Sequence, residues 1–132
     1  MSLILIADDD ELLAALVRYK LEAAGHRVIV AENGAAALAA VEQDRPDLVV
    51  LDAMMPMLTG FEVLARLKHD RATAGLPVIM LTARRSEDDV AAALRGGAAD
   101  YLTKPFVPEE LLMRVETALA QARMPGQPGT GQ

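Results

Sequence analysis

The stretch Leu3-Ile4-Leu5-Ile6-Ala7-Asp8-Asp9-Asp10 joins a short apolar run to three consecutive acidic residues. An uninterrupted apolar run of this length is typical of a strand that is buried on both faces, as in a parallel sheet. Similar runs recur along the chain, and polar residues directly follow most of them. The sequence therefore predicts strands at residues 3–7, 28–31, 48–51, 78–81 and 101–102.

The segments between these runs have the periodicity of helices. The first helix is predicted from Glu11 to about Ala24, with Asp10 as a candidate N-cap and Gly25 as a stop signal. An Ala-rich stretch at residues 34–43 predicts the second helix. Strands that alternate with single helices indicate an α/β fold of (βα)5 order, a five-stranded parallel sheet with helices on both faces. The apolar positions at helical spacing in the first helix are Leu12, Leu13, Leu16, Val17 and Leu21.

End signals mark the three later helices. Thr59 and Glu62 form a capping-box pattern that opens the third helix. Ser86 and Asp89 give a weaker capping signal before the fourth, and Pro108 suits the first turn of the fifth. The buried stripe of the fifth helix is expected at Leu111, Leu112, Val115 and Leu119.

Polar side chains collect immediately after the apolar runs. Asp8 and Asp9 follow the first run, and Asp52 follows the third. Thr82 follows the fourth run, and Lys104 stands just beyond the fifth. Because all strands of a parallel sheet point the same way, these side chains should converge on one edge, where open α/β sheets bind ligands.

Clustered carboxylates restrict the chemistry of that edge. They repel one another, so either their pKa values rise or a cation neutralises them. Oxygen ligands without nearby Cys or His suit Mg²⁺, or Mn²⁺, better than zinc. A divalent cation beside a Lys also suits phosphoryl transfer, and Asp52 is the natural nucleophile because carboxylates form aspartyl phosphates.

The composition excludes several other classes of protein. The chain has 132 residues, enough for one domain, and 52% of them are hydrophobic, too many for a disordered chain. It contains no Cys, which excludes disulfides and thiolate metal sites, and its net charge of −6 argues against non-specific nucleic-acid binding. No secretory signal or membrane-spanning run is visible, so we expect a soluble, cytoplasmic protein. The two histidines, His26 and His69, are expected at the surface.

Four ordered motifs, within residues 3–122, make the sequence resemble the receiver domains of two-component response regulators. ILIADDD (4–10) resembles the acidic pocket of that family, and VVLDAMMP (49–56) resembles its phospho-acceptor motif. MLTA (80–83) resembles the switch strand, and YLTKPF (101–106) resembles the final motif. The resemblance implies a doubly wound, flavodoxin-like sheet, with residues 1–122 as the receiver domain.

The resemblance also implies a role for each residue of the polar edge. Asp52 would accept a phosphoryl group from a sensor histidine kinase, a phosphotransfer protein or a small donor such as acetyl phosphate. Asp8 and Asp9 would hold Mg²⁺ together with Asp52 and the backbone carbonyl of Met54. Lys104 would pair with the phosphoryl oxygens.

A switch would follow from phosphorylation. Thr82 would donate to the phosphoryl group, and Tyr101 would turn into the vacated space, which repacks the surface of the fourth helix, fifth strand and fifth helix. The peptide bond before Pro105 would be cis. The domain would control an unknown effector domain or downstream protein, and it would be no enzyme beyond its own phosphotransfer and autodephosphorylation.

Three further expectations concern the lifetime of the phosphoryl group, dimerisation and the C-terminal residues. Arg84 and Met54 flank the approach of a hydrolytic water and are expected to slow loss of the phosphoryl group. Ala99-Asp100 only loosely resembles the acidic pair of the winged-helix subgroup, which leaves a phosphorylation-dependent homodimer as one alternative. Residues 123–132, rich in Pro and Gly, are expected to be a flexible tail or linker stub.

Two other protein classes compete with this interpretation. A phosphatase or phosphotransferase of the haloacid dehalogenase type also uses Asp, Mg²⁺, Thr and Lys, but it places a second Asp where this chain has Met54. A flavodoxin-like cofactor-binding module would need a phosphate-binding loop after the first strand. The Asp triplet there would repel a cofactor phosphate.

Overall fold

The chain folds as one sheet with helices on both faces. The structure is a computed structural model that describes residues 2–83 and 87–123. The strands are β1 (Leu3–Ala7), β2 (Arg27–Ala31), β3 (Leu48–Asp52), β4 (Val78–Thr82) and β5 (Asp100–Thr103). The helices are α1 (Glu11–Ala23), α2 (Gly34–Asp44), α3 (Gly60–His69), α4 (Glu87–Arg95) and α5 (Pro108–Arg123).

The sheet topology confirms the predicted α/β fold. All neighbouring strands are parallel, and their order is β2-β1-β3-β4-β5. Successive side chains of a strand point to opposite faces of the sheet. Neighbouring residues of each central strand therefore belong to different core clusters, one on each face. One cluster packs the sheet against α2, α3 and α4, and the other packs it against α1 and α5.

Side-chain caps begin three of the helices. The Asp10 carboxylate accepts a hydrogen bond from the backbone N–H of Leu13 at 3.1 Å, which confirms it as the N-cap of α1. The capping box of α3 is also confirmed, because Thr59 and Glu62 each accept from the backbone N–H of the other. Asn33 caps α2 in the same way. Ser86, predicted to open α4, lies outside the described residues.

The buried stripe of α1 is narrower than its apolar pattern. Val17 and Leu21 are buried as expected, whereas Leu12 is 72% exposed and Leu16 is 51% exposed. The apolar residues at helical spacing in α1 are therefore not all part of its buried face. The apolar arc of this helix is wider than the strip that the sheet and α5 can cover, so one of its sides remains uncovered. On α5, Leu111, Val115 and Leu119 are buried, and Leu112 is half-buried.

The surface position expected for His26 is wrong, because its side chain is only 12% exposed. It follows the turn at Gly25, and its Nε2 lies 3.5 Å from a carboxylate oxygen of Glu116 on α5. Both ring nitrogens are buried without a hydrogen-bond partner. His69 is exposed, as expected.

The C-terminal helix reaches the base of the sheet. Arg123, the last residue of α5, donates a hydrogen bond to the hydroxyl of Ser2. The rest of the predicted tail, residues 124–132, lies outside the described residues. Within residues 2–83 and 87–123, none of the helices combines the length and hydrophobicity that crossing a bilayer requires.

Candidate functional site

The carboxyl ends of β1 and β3 bring three acidic side chains together. One carboxylate oxygen from each of Asp8, Asp9 and Asp52 lies within 4.8 Å of the other two. β1 pairs with β3 in parallel, so both strands end at the same edge of the sheet. Asp8 and Asp52 are buried, with 2% and 6% of their surface exposed, whereas Asp9 is exposed. The acidic cluster predicted from the strand ends is therefore present.

The three consecutive aspartates have different surroundings. Asp8 is fixed from both sides, because its backbone N–H donates to Ala31 at 3.1 Å and its Oδ1 accepts from the N–H of Asp10 at 2.9 Å. Asp10 turns away to cap α1 and does not belong to the cluster. Asp8 and Asp9 are thus left to face Asp52.

Lys104 lies between the two buried carboxylates. Its Nζ is 3.1 Å from Oδ2 of Asp8 and 3.4 Å from Oδ1 of Asp52. Its backbone N–H donates to the carbonyl of Thr82 at 2.7 Å, which anchors it at the end of β4. The following bond to Pro105 is cis, as the motif implied. One ammonium group therefore neutralises part of the charge of two carboxylates.

Burial and the neighbouring charges together shift the pKa values of Asp52 and Lys104. Burial, followed by the negative charge of Asp8, raises the pKa of Asp52 to about 6, although Lys104 and the N–H of Met54 act in the opposite direction. Burial alone would lower the pKa of Lys104. Its hydrogen bond to Asp8 and the two nearby carboxylates outweigh burial, so the pKa of Lys104 lies above its ordinary value.

The start of α3 lies directly against the end of β3. A Cβ atom on Gly60 would lie 2.1 Å from the backbone oxygen of Asp52, so any side chain would push the helix away. The N–H of Gly60 donates to the carbonyl of Ala53 at 2.8 Å. This close approach fixes the backbone that carries Asp52.

Residues 53–59, hereafter the β3–α3 loop, border the acidic cluster. The N–H of Met54 lies 3.4 Å from Oδ1 of Asp52, and the Met54 side chain is 64% exposed. Met57 is 77% exposed and adopts a φ of 75°, in the left-handed region that side chains disfavour. The sequence gives no sign of this conformation, because Met is not a residue that prefers it.

Thr82 and Tyr101 lie on the neighbouring strands. Leu81 pairs with Asp52 in the register of β3 and β4, which places Thr82 one residue beyond the acidic residue, and Thr82 is buried. Tyr101 pairs with Met80, and its half-buried ring packs against the cluster under α2, α3 and α4. The predicted switch residues thus lie on adjacent strands, with Thr82 nearer to Asp52.

An ion pair that sequence reasoning missed lies beside Tyr101. Arg114 of α5 contacts both carboxylate oxygens of Asp100, at 2.9 and 3.0 Å. A second nitrogen of the same guanidinium lies 3.4 Å from Glu110. Asp100, considered above for contacts between subunits, thus has a partner within its own chain. Arg84 lies outside the described residues.

The acidic cluster has the donor set of a hard-cation site. Its three carboxylates are oxygen ligands, and the chain contains no Cys. Oxygen ligands of this kind favour Mg²⁺, Mn²⁺ or Ca²⁺ over softer metals. Asp8, Asp9 and Asp52 therefore fit a divalent metal ion.

An exposed apolar surface adjoins Lys104. A cavity of about 500 Å³ opens there, between α1 and the segment that follows β5. The larger apolar side chains of its lining, hereafter the α1 patch, are Leu12, Leu13, Leu16, Pro105 and Phe106. The helical spacing of the α1 leucines does not distinguish buried from exposed positions, so sequence reasoning missed this surface.

Comparisons with known proteins agree with this architecture. A family model described as the response regulator receiver domain matches residues 4–116. The Francisella response regulator 1452 receiver domain superposes with a TM-score of 0.87 at 35% identity, over 93% of this chain and 100% of that one. Chemotaxis protein CheY4 of Vibrio cholerae superposes with a TM-score of 0.84 at 32% identity, over 89% of this chain and 98% of that one.

Curated relatives include two transcriptional regulators. The alkaline phosphatase synthesis transcriptional regulatory protein PhoP of Bacillus subtilis is 42% identical over 121 residues, which cover 92% of this chain and 50% of that protein. The phosphate regulon transcriptional regulatory protein PhoB of Pseudomonas aeruginosa is 43% identical over 116 residues, which cover 88% of this chain and 51% of that protein. The chain thus spans about half the length of these relatives. The family model, the solved structures and the curated relatives named here do not support the haloacid dehalogenase alternative.

Proposed function

The chain belongs to the response regulator receiver domain family, and from this premise we propose that phosphorylation of Asp52 switches it between two conformations. Receiver domains are regulatory parts of two-component signalling systems. The observation that carries the proposal is the position of Asp52, which is buried at a strand end beside Asp8 and Lys104.

The proposed reaction transfers one phosphoryl group to a carboxylate oxygen of Asp52. The bond from phosphorus to the histidine nitrogen of a kinase or phosphotransfer protein breaks, and a phosphorus–oxygen bond to Asp52 forms. The imidazole leaves with the electron pair. With acetyl phosphate the leaving group is acetate. Lys104, 3.4 Å from Asp52, supplies a positive charge that can pair with the phosphoryl oxygens.

Asp8, Asp9 and Asp52 would hold Mg²⁺ together with the backbone carbonyl of Met54. When bound, the cation offsets negative charge on the oxygens of the transferring phosphoryl group. Mn²⁺ shares this preference for oxygen ligands and is a reasonable substitute. Supporting this assignment are the close approach of the three carboxylates and the absence of Cys.

The phosphorylated state would act through Thr82 and Tyr101. A phosphoryl group on Asp52 adds negative charge and hydrogen-bond acceptor oxygens at that residue. Asp52 pairs with Leu81, so Thr82 is the next residue along β4, and its hydroxyl would donate a hydrogen bond to the phosphoryl group. Tyr101 on the next strand would then repack and change the surface of α4, β5 and α5. The two conformations are in equilibrium, and phosphorylation can shift that equilibrium only by the amount of free energy by which it stabilises one conformation more than the other.

Acetyl phosphate and Mg²⁺ provide the direct test of the proposed function. The wild-type chain should gain the mass of one phosphoryl group, and EDTA should prevent the gain. The proposal fails if no phosphoryl group is added under conditions that phosphorylate a known receiver domain.

The proposed protein partner is a sensor histidine kinase or a phosphotransfer protein, and we place its docking surface on the α1 patch. A phosphohistidine must come close to Asp52, so its protein must cover the neighbouring surface. Leu12 and Leu16 offer exposed apolar area there. Removing exposed apolar area of this kind from water on binding is favourable.

A Leu16→Ser substitution tests this docking surface. Transfer from any histidine kinase that phosphorylates the wild-type chain should slow by about tenfold, because the lost apolar contact is worth on the order of 1–2 kcal/mol. Transfer from acetyl phosphate, which needs no docking, should stay at the wild-type rate. Met113→Ser is a suitable control, since Met113 is 67% exposed and lies outside the α1 patch. Equal slowing with both donors would contradict the docking role.

The output of the switch would come from parts of the whole protein beyond the receiver domain, or from a downstream protein. The relatives named above are transcriptional regulators, and this chain matches about half of each. Its net charge of −6 does not favour direct binding of nucleic acid by this domain. We therefore propose that any DNA binding belongs to a separate effector domain.

A further inference from the structure

Gly34 lies at the same edge of the sheet as the acidic cluster. β2 ends at Ala31, Asn33 caps the next helix, and Gly34 is the first residue of α2. Gly34 is buried, although it lies in the first turn of a helix. The start of α2 therefore packs against a neighbouring segment.

That segment is the tip of the β3–α3 loop. A Cβ atom on Gly34 would lie 2.5 Å from both the Cβ and the backbone oxygen of Leu58, and 3.0 Å from Cγ2 of Val63. Because one of these atoms belongs to the backbone, a rotamer change of Leu58 would not relieve the contact. By contrast, a Cβ on Gly75 would meet nothing within 4 Å.

The contact at Leu58 adds to the anchoring of the loop, whose Met55 is buried in the core under α2, α3 and α4 and whose ends are held by backbone hydrogen bonds. At the Asp52 side, the N–H of Ala53 donates to Leu81 at 2.8 Å, and the carbonyl of Ala53 accepts from Gly60. At the tip, the N–H of Leu58 donates to Pro56, which is a bond within the loop. Leu58 itself packs against the core under α2 and α3. The tip thus meets the rest of the domain at Leu58 and the start of α2.

We infer that Gly34 is a positioning residue for phosphorylation, because its lack of a side chain lets α2 set the position of the β3–α3 loop. The same loop carries Met54, whose N–H lies 3.4 Å from Asp52. A displaced tip would move the Met54 backbone relative to Asp52 and weaken both the metal site and the transfer step. The inference rests on the proposed function, since it names a residue that acts on the same site.

Gly34→Ala tests the inference, with a second variant, Leu58→Ala, that adds no atoms. In Gly34→Ala the added methyl pushes the loop, and in Leu58→Ala the tip loses its packing. Each should slow phosphorylation by acetyl phosphate about tenfold or more, because small displacements of reacting groups are costly. Calorimetric titration should show weaker Mn²⁺ binding, and the amide NMR signals of residues 53–59 should shift in metal-free protein.

Two control variants separate positioning from general loss of stability. Gly75→Ala adds the same methyl in open space and should behave as wild type. Ala39→Gly lowers stability at an exposed site of α2 without touching the loop, and it should keep the wild-type Mn²⁺ affinity. Wild-type kinetics and metal affinity in both Gly34→Ala and Leu58→Ala would overturn the inference. If wild-type protein gains no phosphoryl group, the proposed function itself fails.

Discussion

Asp52→Asn is expected to abolish phosphorylation by acetyl phosphate in the presence of Mg²⁺. The amide has no anionic oxygen to attack phosphorus, and it removes one of the three carboxylates of the acidic cluster. Asp8 should not replace it as the acceptor. Its carboxylate is already engaged by Lys104 at 3.1 Å and by the N–H of Asp10 at 2.9 Å. Intact-mass spectrometry over a time course should show no gain of a phosphoryl group.

The control for this prediction is Asp44→Asn, which removes an exposed carboxylate at the end of α2. It changes the net charge by the same amount, and it should be phosphorylated at the wild-type rate. Peptide mapping of wild-type protein should place the phosphoryl group within the peptide that contains residue 52. A phosphoryl group gained by Asp52→Asn at the wild-type rate would show that Asp52 is not the acceptor.

The sheet and the acidic cluster could both be predicted from where polar residues follow apolar runs. Parallel strands with helical crossovers place all their carboxyl ends at one edge. The run before Asp8 and the run before Asp52 therefore had to end at the same edge of the sheet, whatever their separation along the chain, whereas their adjacency depends on the strand order. Lys104 lies at the same edge for this reason. These features follow from strand direction alone, which the pattern of the sequence indicates.

The burial of individual side chains could not be predicted in the same way. Leu12 and Leu16 match a helical stripe, but whether a helix flank is covered depends on how widely the neighbouring helices are spaced. His26, which follows Gly25, was expected at the surface. The ring is nevertheless covered where α5 passes over it, close to Glu116. Both cases depend on packing between elements far apart in sequence.

The β3–α3 loop shows a further limit of sequence reasoning. Its capping box at Thr59 and Glu62 was predictable, since it is a local pattern. The positive φ of Met57 and the contact between Leu58 and Gly34 were not. They arise where two helix starts and a strand end meet, and no one of these segments indicates the contact by its own sequence.

In the absence of a divalent metal, the Asp52→Asn variant is expected to be more stable than wild type at pH 8. Burial and the charge of Asp8 raise the pKa of Asp52 from 3.8 to about 6 in the folded chain. A carboxyl whose pKa is raised by folding binds its proton more tightly in the folded protein than in the unfolded one. Proton binding therefore stabilises the folded protein, and this stabilisation is complete below the pKa of the unfolded state. This effect is lost as the pH rises through the folded pKa, which leaves a destabilising charge worth about 3 kcal/mol.

Asn removes that charge, so the variant should gain about 2–3 kcal/mol in free energy of unfolding at pH 8. Chemical denaturation with EDTA present measures this, and the gain should largely disappear at pH 4, where wild-type Asp52 is mostly protonated in the folded chain. Saturating Mg²⁺ should also reduce the difference, because a cation that binds the folded wild type stabilises it by mass action.

Asp44→Asn again serves as the control, because it changes the net charge at an exposed site. Its stability at pH 8 should stay within about 0.5 kcal/mol of wild type, as is usual for surface substitutions. The decisive comparison is the pH dependence. If Asp52→Asn were no more stable than wild type at pH 8 without metal, Lys104 would compensate the buried charge fully. The acidic cluster would then need no cation to relieve it, which would remove the electrostatic argument for a metal site at Asp8, Asp9 and Asp52.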